Sequence, residues 1–499
     1  MMRAPLRIFL PFLLAAVACP VTSGCANQTD TERFDPRGTS GGSGGVDTTV
    51  SVGVGPSTSV GSGQLWSNFY GDAADQQASS FVVSAAGNSA LSGSAAGVID
   101  FGNIPWSGGV SDTDAVVAKL DRSGHSLWSR RYGDSCDQHG AAVALTPGGD
   151  VVLAGDFCGK IDFGVTELAT SGGEIDAFVV VLDSLGEDVY SRRFGGEGPQ
   201  IVRAAAADLD GNAIVVGTFE QAFDDGTGPV VSAGKDDVFV VKLDPAGKLL
   251  WSRRYGGPES DLVRAVAVDP TGNVVFGGSF GADVDFGGGP LKAGAGHRGA
   301  FLVVLDPEGN HLSSRSFGDP DDASVNAVAV NTTGQLIVGG YFAGTVDIEG
   351  TPIASAGGTD IFLTSLDLDG KPLWASTYGG KGAQAIERIA VAGFNGVAVA
   401  VTSDEPLDFG VPGSFGTVGT ADLTDRIILA SFGFNGKFGD SQGVIVSDGP
   451  THLAGIGGDD LGSLSVVGSF KGRLEAYLLD RYEPAESKGN WDIFALQVR

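Results

Sequence analysis

The chain has 499 residues, 80 of them Gly, and sets 60 acidic against 31 basic residues for a net charge of −29, a surface on which nucleic acid is a poor partner. Hydrophobic residues at 42% and charged residues at 18% supply enough apolar material for a large core and too little charge for a disordered chain. Short Val/Ala/Phe runs broken by Gly, Asp and Asn indicate many short strands joined by tight turns, which excludes long helices; Gly keeps no three-residue period, which excludes collagen.

Residues Met1 to Ala18 read as a secretory signal, with Arg3 and Arg7 ahead of an apolar run from Ile8 to Ala18 that is too short to span a bilayer. Val21, Thr22, Ser23 and Gly24 then lead into Cys25. This run resembles the lipobox of bacterial lipoproteins, with Thr22 where the family usually has Leu, and Ala16 to Cys19 forms a weaker second candidate. The resemblance implies a signal peptide over residues 1–24 and a diacylglycerol anchor on Cys25 that would hold the protein to a bacterial membrane, outer membrane or cell surface, without a transmembrane helix. Residues 25–64, rich in Thr, Ser and Gly, cannot bury a core and read as a flexible tether. Cys136 and Cys158 remain in the exported part, and an even pair in an oxidising compartment suggests one disulfide.

From Leu65 onward a signature returns. It reads Leu65-Trp66-Ser67-Asn68-Phe69-Tyr70-Gly71 at first and Leu250-Trp251-Ser252-Arg253-Arg254-Tyr255-Gly256 in a later copy. The signature glycines are Gly71, Gly133, Gly195, Gly256, Gly318 and Gly379, 61 or 62 residues apart. Between them each unit repeats three more apolar segments. In the clearest copy these are Ala265 to Val268, Val274 to Phe280 and Ala300 to Leu305, joined through turns such as Asp269-Pro270-Thr271-Gly272-Asn273. Asp-x-x-Gly turns place Gly where a positive φ is needed, so each flanking pair reads as a hairpin and each unit as a four-stranded antiparallel meander.

Such a unit must stack on neighbours to bury both faces. The domain opens with a lone fourth strand at Leu65 to Tyr70 and closes at Ile493 to Val498 on a third strand with no fourth after it, so the first strand is expected to complete the last blade. Third-strand starts at Ala115, Ala177, Val238, Ala300, Ile361, Arg426 and Ile493 predict an all-β, seven-bladed propeller of four-stranded blades over residues 65–499. The fourth strand of the sixth unit has lost its signature and is placed within Phe438 to Val446.

Tyr255-Gly256-Gly257 with Asp261, Val266-Ala267-Val268-Asp269, Gly272-Asn273-Val274, Gly277 and the Asp237 to Asp244 type of third strand together resemble the SBBP class of bacterial seven-bladed β-propeller repeats. The resemblance covers about Leu65 to Arg499 and weakens in the last two units, at Gly393-Phe394-Asn395-Gly396 and Asp459-Asp460-Leu461-Gly462. It implies an extracytoplasmic propeller, common on cell-surface proteins, and no shared catalytic residue.

Two acidic series recur: Asp100, Asp162, Asp285, Asp347 and Asp408 after the second strand, and Asp114, Asp176, Asp237, Asp360, Asp425 and Asp492 before the third. A carboxylate repeated in nearly every unit reads as an acceptor of backbone N–H groups in turns, with calcium in the acidic loops as the lesser alternative. Trp66, Trp128, Trp251 and Trp374 read as packing between blades: the Leu243-Asp244-Pro245-Ala246-Gly247-Lys248 turn falls one residue short of the quinone-dehydrogenase docking motif, and the sialidase Asp-box does not fit either. His125, His139, His297, His311 and His452 are scattered without zinc spacing, and neither a nucleophile elbow nor a phosphate loop is present. No catalytic, cofactor or metal residue is therefore assigned.

Function is expected where the repeat is broken, on the face that carries the first-strand entries and the long connections between second and third strands. That face would hold Cys136, Cys158, His297, Arg298 and an insertion from Asp480 to Asn490 that reads as a contact loop. The expected function is a non-enzymatic binding or scaffolding module at the cell envelope, with an envelope protein or polysaccharide as partner. The alternative is a glycan hydrolase with paired carboxylates in the central funnel.

Overall fold

The computed structural model describes residues 65–498 apart from 172–174, 295, 318–321, 349, 351, 393–395, 406, 410–424 and 479–480. The expected signal peptide, Cys25, the tether and the turn at 393–395 lie outside the described residues. Among the described residues no helix is long and apolar enough to cross a membrane.

The architecture is an all-β propeller. Its first blade runs outward through Gln76–Val83, Ser89–Ala95, Asp114–Leu120 and Ser126–Tyr132. The second comprises Gln138–Leu145, Val151–Phe157, Asp176–Leu182 and Asp188–Phe194; the third Gln200–Ala207, Ala213–Phe219, Asp237–Leu243 and Leu249–Tyr255. The fourth comprises Asp261–Val268, Val274–Phe280, Gly299–Leu305 and His311–Ser316; the fifth Asp322–Val330, Leu336–Ala343, Asp360–Leu366 and Pro372–Tyr378. A closing blade combines Thr451–Gly458, Leu464–Phe470 and Asp492–Val498 with the N-terminal strand Ser67–Tyr70, which pairs with Asp492–Val498 in the register Ser67 to Leu496.

The expectation of seven four-stranded blades is overturned: among the described residues there are six sheets of that kind. Between the fifth blade and the closing blade stands a six-stranded sheet in which Gln384–Ala392, Gly396–Ser403, Asp425–Gly433 and Phe438–Ser447 are continued outward by Arg473–Leu478 and Tyr482–Glu486. These two added strands come from the connection between the second and third strands of the closing blade. In the first five blades the same connection forms a short two-stranded hairpin, such as Ala222–Asp224 with Pro229–Val231, that joins no larger sheet. The predicted contact loop is thus partly a strand.

The second and third strands are buried along their whole length in most sheets, for example Val274–Phe280 and Gly299–Leu305, because neighbouring sheets cover both faces. Their apolar residues therefore run continuously instead of alternating. Phe276, Phe280, Phe286 and Phe301 fill one such space between sheets with rings at offset or edge contacts.

The signature residues join one blade to the next. Trp66, Trp128, Trp251 and Trp374 donate their indole N–H to the backbone carbonyls of Arg122, Ser184, Pro307 and Phe434, in the turn between the third and fourth strands of the following sheet, at 2.7–3.0 Å. The ring lies flat on the turn glycine. At Gly309, φ is +79° and an added Cβ would sit 2.7 Å from the Trp251 ring, so this position needs glycine both for its backbone and for the close approach. Tyr190 does the same on Gly247. Two residues after the aromatic, Asn68, Arg192 and Arg253 donate to the carbonyls of Gly124, Gly247 and Gly309 at 2.7–2.9 Å.

Candidate functional site

Recurrent acids of both series have structural tasks in this fold. Asp100, Asp162 and Asp285 accept the N–H of the glycine two residues on, at 2.7–2.8 Å, and so close a tight turn. Asp237, Asp360 and Asp492 accept the N–H of the residue four positions back, at 2.8–3.0 Å. Asp114, Asp176 and Asp237 also pair with Arg131, Arg193 and Arg254 of the adjacent outer strand. Among the described residues no group of three His, Cys, Asp or Glu is placed to hold a metal ion.

Antiparallel alternation brings the first-strand entries and the second-to-third connections to one end of the propeller. Cys136, in the entry to the second blade, and Cys158, just after its second strand, are joined there as a disulfide with Cα atoms 5.8 Å apart. Asp134 ties the same two segments by accepting the N–H groups of Cys136 and Lys160. The short hairpins at this end expose Ile104, Val110, Val165 and Val231, each at least 65% accessible. Arg298 sits where the third strand of the fourth blade meets the fifth blade, and its carbonyl accepts the N–H of Ala323. His297, beside it, belongs to the fourth blade and the cysteine pair to the second.

A cavity lies on the axis of the ring. About 380 Å³ of space is walled by the innermost strands of every sheet. Each of these strands carries a β-bulge at its middle. In six of the sheets a glycine of the second strand, such as Gly278 opposite the Leu262 carbonyl, makes room for the bulge, since an added Cβ would collide with that carbonyl. A bulge re-aims the side chain at its extra residue. The bulge residues are Ser79, Arg203, Arg264, Asn326, Glu387 and Ala454, with Gly140 and Ala141 in the second blade.

Arg203 and Arg264, both bulge residues, line one channel together with Arg388, which follows the bulge residue Glu387. Burial, and for Arg203 and Arg388 the nearby charge of Arg264, holds the first and last below the usual arginine range. Among the described residues none of the three has a carboxylate within 4 Å; Arg388 donates to the carbonyls of Glu387 and Ala454, while Arg203 and Arg264 have no hydrogen-bond partner. The acids that feel their charge are engaged elsewhere: Asp156 with His139 at 3.1 Å, Glu387 with Thr402 at 3.2 Å, and Asp236 with Ser260 at 2.7 Å. The hydrogen bond that the His139 ring donates to the Asp156 carboxylate raises the His139 pKa. No Asp or Glu is among the described residues lining the channel.

The sequence reading missed these arginines. Their signal was a charged residue interrupting an otherwise small and apolar first strand at one unit position, as in Ile201-Val202-Arg203-Ala204 and Leu262-Val263-Arg264-Ala265.

The sheets and their cyclic neighbours define the class as a β-propeller repeat protein. No family model matches the chain. It is 24% identical over 427 residues to the regulatory protein FlaEY of Caulobacter vibrioides, across 78% of this chain and 42% of that protein. It is also 26% identical over 153 residues to an uncharacterized WD repeat-containing protein of Acanthamoeba polyphaga mimivirus, across 28% of this chain and 11% of the relative. The chain thus spans less than half the length of either relative. Among solved structures it is similar to Sqt1 from Chaetomium thermophilum (13% identity, 84% of this chain and 86% of that one, TM-score 0.41) and to U3-55K (12%, 85% and 97%, 0.42).

Proposed function

We propose that this propeller is an exported, lipid-anchored binding or scaffolding module of the bacterial cell envelope, with an envelope protein or polysaccharide as its partner. The observation that carries the binding role is the gathering, at one end of the ring, of the long connections, the exposed aliphatic side chains of Ile104, Val110, Val165 and Val231, and the disulfide that fixes two of the segments there. Exposed apolar groups set among polar ones on a rigid scaffold are what partner surfaces offer. The signal-like Met1 to Gly24, the lipobox-like approach to Cys25 and the likeness of the repeat to the SBBP class support the extracytoplasmic address.

The experiment is fractionation of cells that produce the full chain or Cys25→Ala, followed by capture of envelope components on the full chain or on Ile104→Glu/Val110→Glu. The reading expects Cys25→Ala to leave the membrane fraction, and the double variant to lose a component that the parent retains. A parent chain that is never membrane-bound, or equal retention by both forms, contradicts it.

A further inference from the structure

We propose that the axial channel is a binding site for a small polyanion, with Arg203, Arg264 and Arg388 receiving its carboxylate or phosphate oxygens. The inference rests on the binding-module reading and gives it a ligand class. Its first support is an imbalance: the chain carries 60 acidic residues against 31 basic ones, yet three arginines converge on one cavity without a carboxylate within 4 Å among the described residues. In a chain so rich in acids, pairing them would have needed only one Asp or Glu on a neighbouring strand. Arg203 and Arg264 are exposed to the channel and Arg388 is half-buried, and like charges gathered there repel one another until an anion joins them.

The second support is geometric. The bulges are common to the innermost strands, but the bulge residue itself is Arg only in the third and fourth blades, with Arg388 directly after the bulge residue of the six-stranded sheet. The scaffold feature is repeated, while the cationic groups gather on part of the ring, as a site requires and a structural device repeated in every blade does not. Asn326, the bulge residue of the intervening fifth blade, adds an uncharged donor and acceptor between Arg264 and Arg388.

Size and charge narrow the ligand. A cavity of about 380 Å³ suits a small molecule rather than a folded partner. Guanidinium groups offer paired N–H donors that match carboxylate and phosphate oxygens. Three such groups suit a ligand with two or three negative charges. The −29 surface disfavours anions approaching elsewhere and makes the channel the place where they are held.

The test is calorimetric titration of the full chain, at 150 mM salt, with citrate and with inorganic phosphate, and with glucose as the neutral control. The expected result is one-to-one binding of citrate, phosphate or both, no binding of glucose, and affinity weakened by about tenfold or more in Arg264→Gln and again in Arg203→Gln. Binding of citrate alone assigns a carboxylate ligand, and binding of phosphate alone a phosphate ligand. Because neither side chain makes a hydrogen bond, both variants are expected to keep the parent's circular dichroism and melting temperature. No heat with either anion up to 10 mM, or equal affinity in the folded variants, overturns the proposal. Anion binding with no envelope component captured would leave this site standing and remove the scaffold reading.

Discussion

The regular blades and the six-stranded sheet close their seams by different means. From the third blade to the fourth, Trp251 lies on Gly309 and Arg253 bonds the carbonyls of Glu308 and Gly309, so the seam is side chain on turn. The fourth strand of the six-stranded sheet, Phe438–Ser447, has no such Trp or Tyr, and the reason lies in its neighbour. The closing blade ends its third strand at Asp492–Val498 and takes its fourth from the start of the chain, so it has no turn between them on which a Trp could rest. The seam is made instead by backbone pairing, with Gly443 to Ser447 bonded to Leu478 to Leu474. Arg481 reaches over to the broken turn and donates to the carbonyls of Trp66 and Gln497 at 3.1 and 2.7 Å. A lost signature is therefore a consequence of where the ring is cut, not decay of the repeat.

The largest effect that would break this comparison is expected at a regular seam. Trp251→Ala removes a buried ring and its hydrogen bond to Pro307, and should lower stability by about 3–5 kcal/mol in urea denaturation. The paired-strand seam should be disrupted by Ala476→Pro. Ala476 lies between Ile445 and Glu483, in the middle of the extension, where proline removes a ladder donor and leaves its acceptor unpaired, at a cost of about 1–3 kcal/mol. Val230→Pro, in the separate short hairpin of the third blade, should cost less than about 1 kcal/mol because that hairpin joins no larger sheet.

A smaller effect is expected where a regular blade departs from its siblings. Gln76, Gln138, Gln200 and Gln384 open the first strands of their sheets, and Gln76 and Gln200 donate to the carbonyls of Ala96 and Ala222. The fourth blade has Asp261 there, fully buried, accepting the N–H of Gly257 at 2.6 Å, with burial raising its pKa to about 7. A folded-state pKa above the unfolded value means that the native state holds the proton more tightly. This contribution is full below about pH 4 and lost as pH rises through about 7. Between pH 5 and pH 8 the parent should lose about 2 kcal/mol more stability than Asp261→Asn, measured by denaturation at both pH values.

Much of the fold could be read from the sequence because the turn chemistry recurs. Asp269-Pro270-Thr271-Gly272 forms the expected hairpin turn, with Gly272 at φ +89° and the Asp269 carboxylate accepting the N–H groups of Thr271 and Asn273. The tryptophans and the repeated acids perform the structural tasks assigned to them. The outer extension was not legible, because Tyr482-Glu483-Pro484-Ala485-Glu486 has the Pro and charge of a surface loop, and only an unoccupied sheet edge nearby makes it a strand. The channel was not legible either. The direction in which Arg203 and Arg264 point depends on a bulge, a backbone irregularity that hydrophobic periodicity does not report.

The most direct test is amide hydrogen exchange along the fourth strands of the sheets in the full chain. Paired on both sides, Val444 to Val446 should exchange far more slowly than the solvent-facing amides of Leu249–Tyr255, and Ala476→Pro should remove that protection. Exchange of Val444 to Val446 as fast as in Leu249–Tyr255, or protection unchanged by the proline, would contradict a seam made by strand pairing.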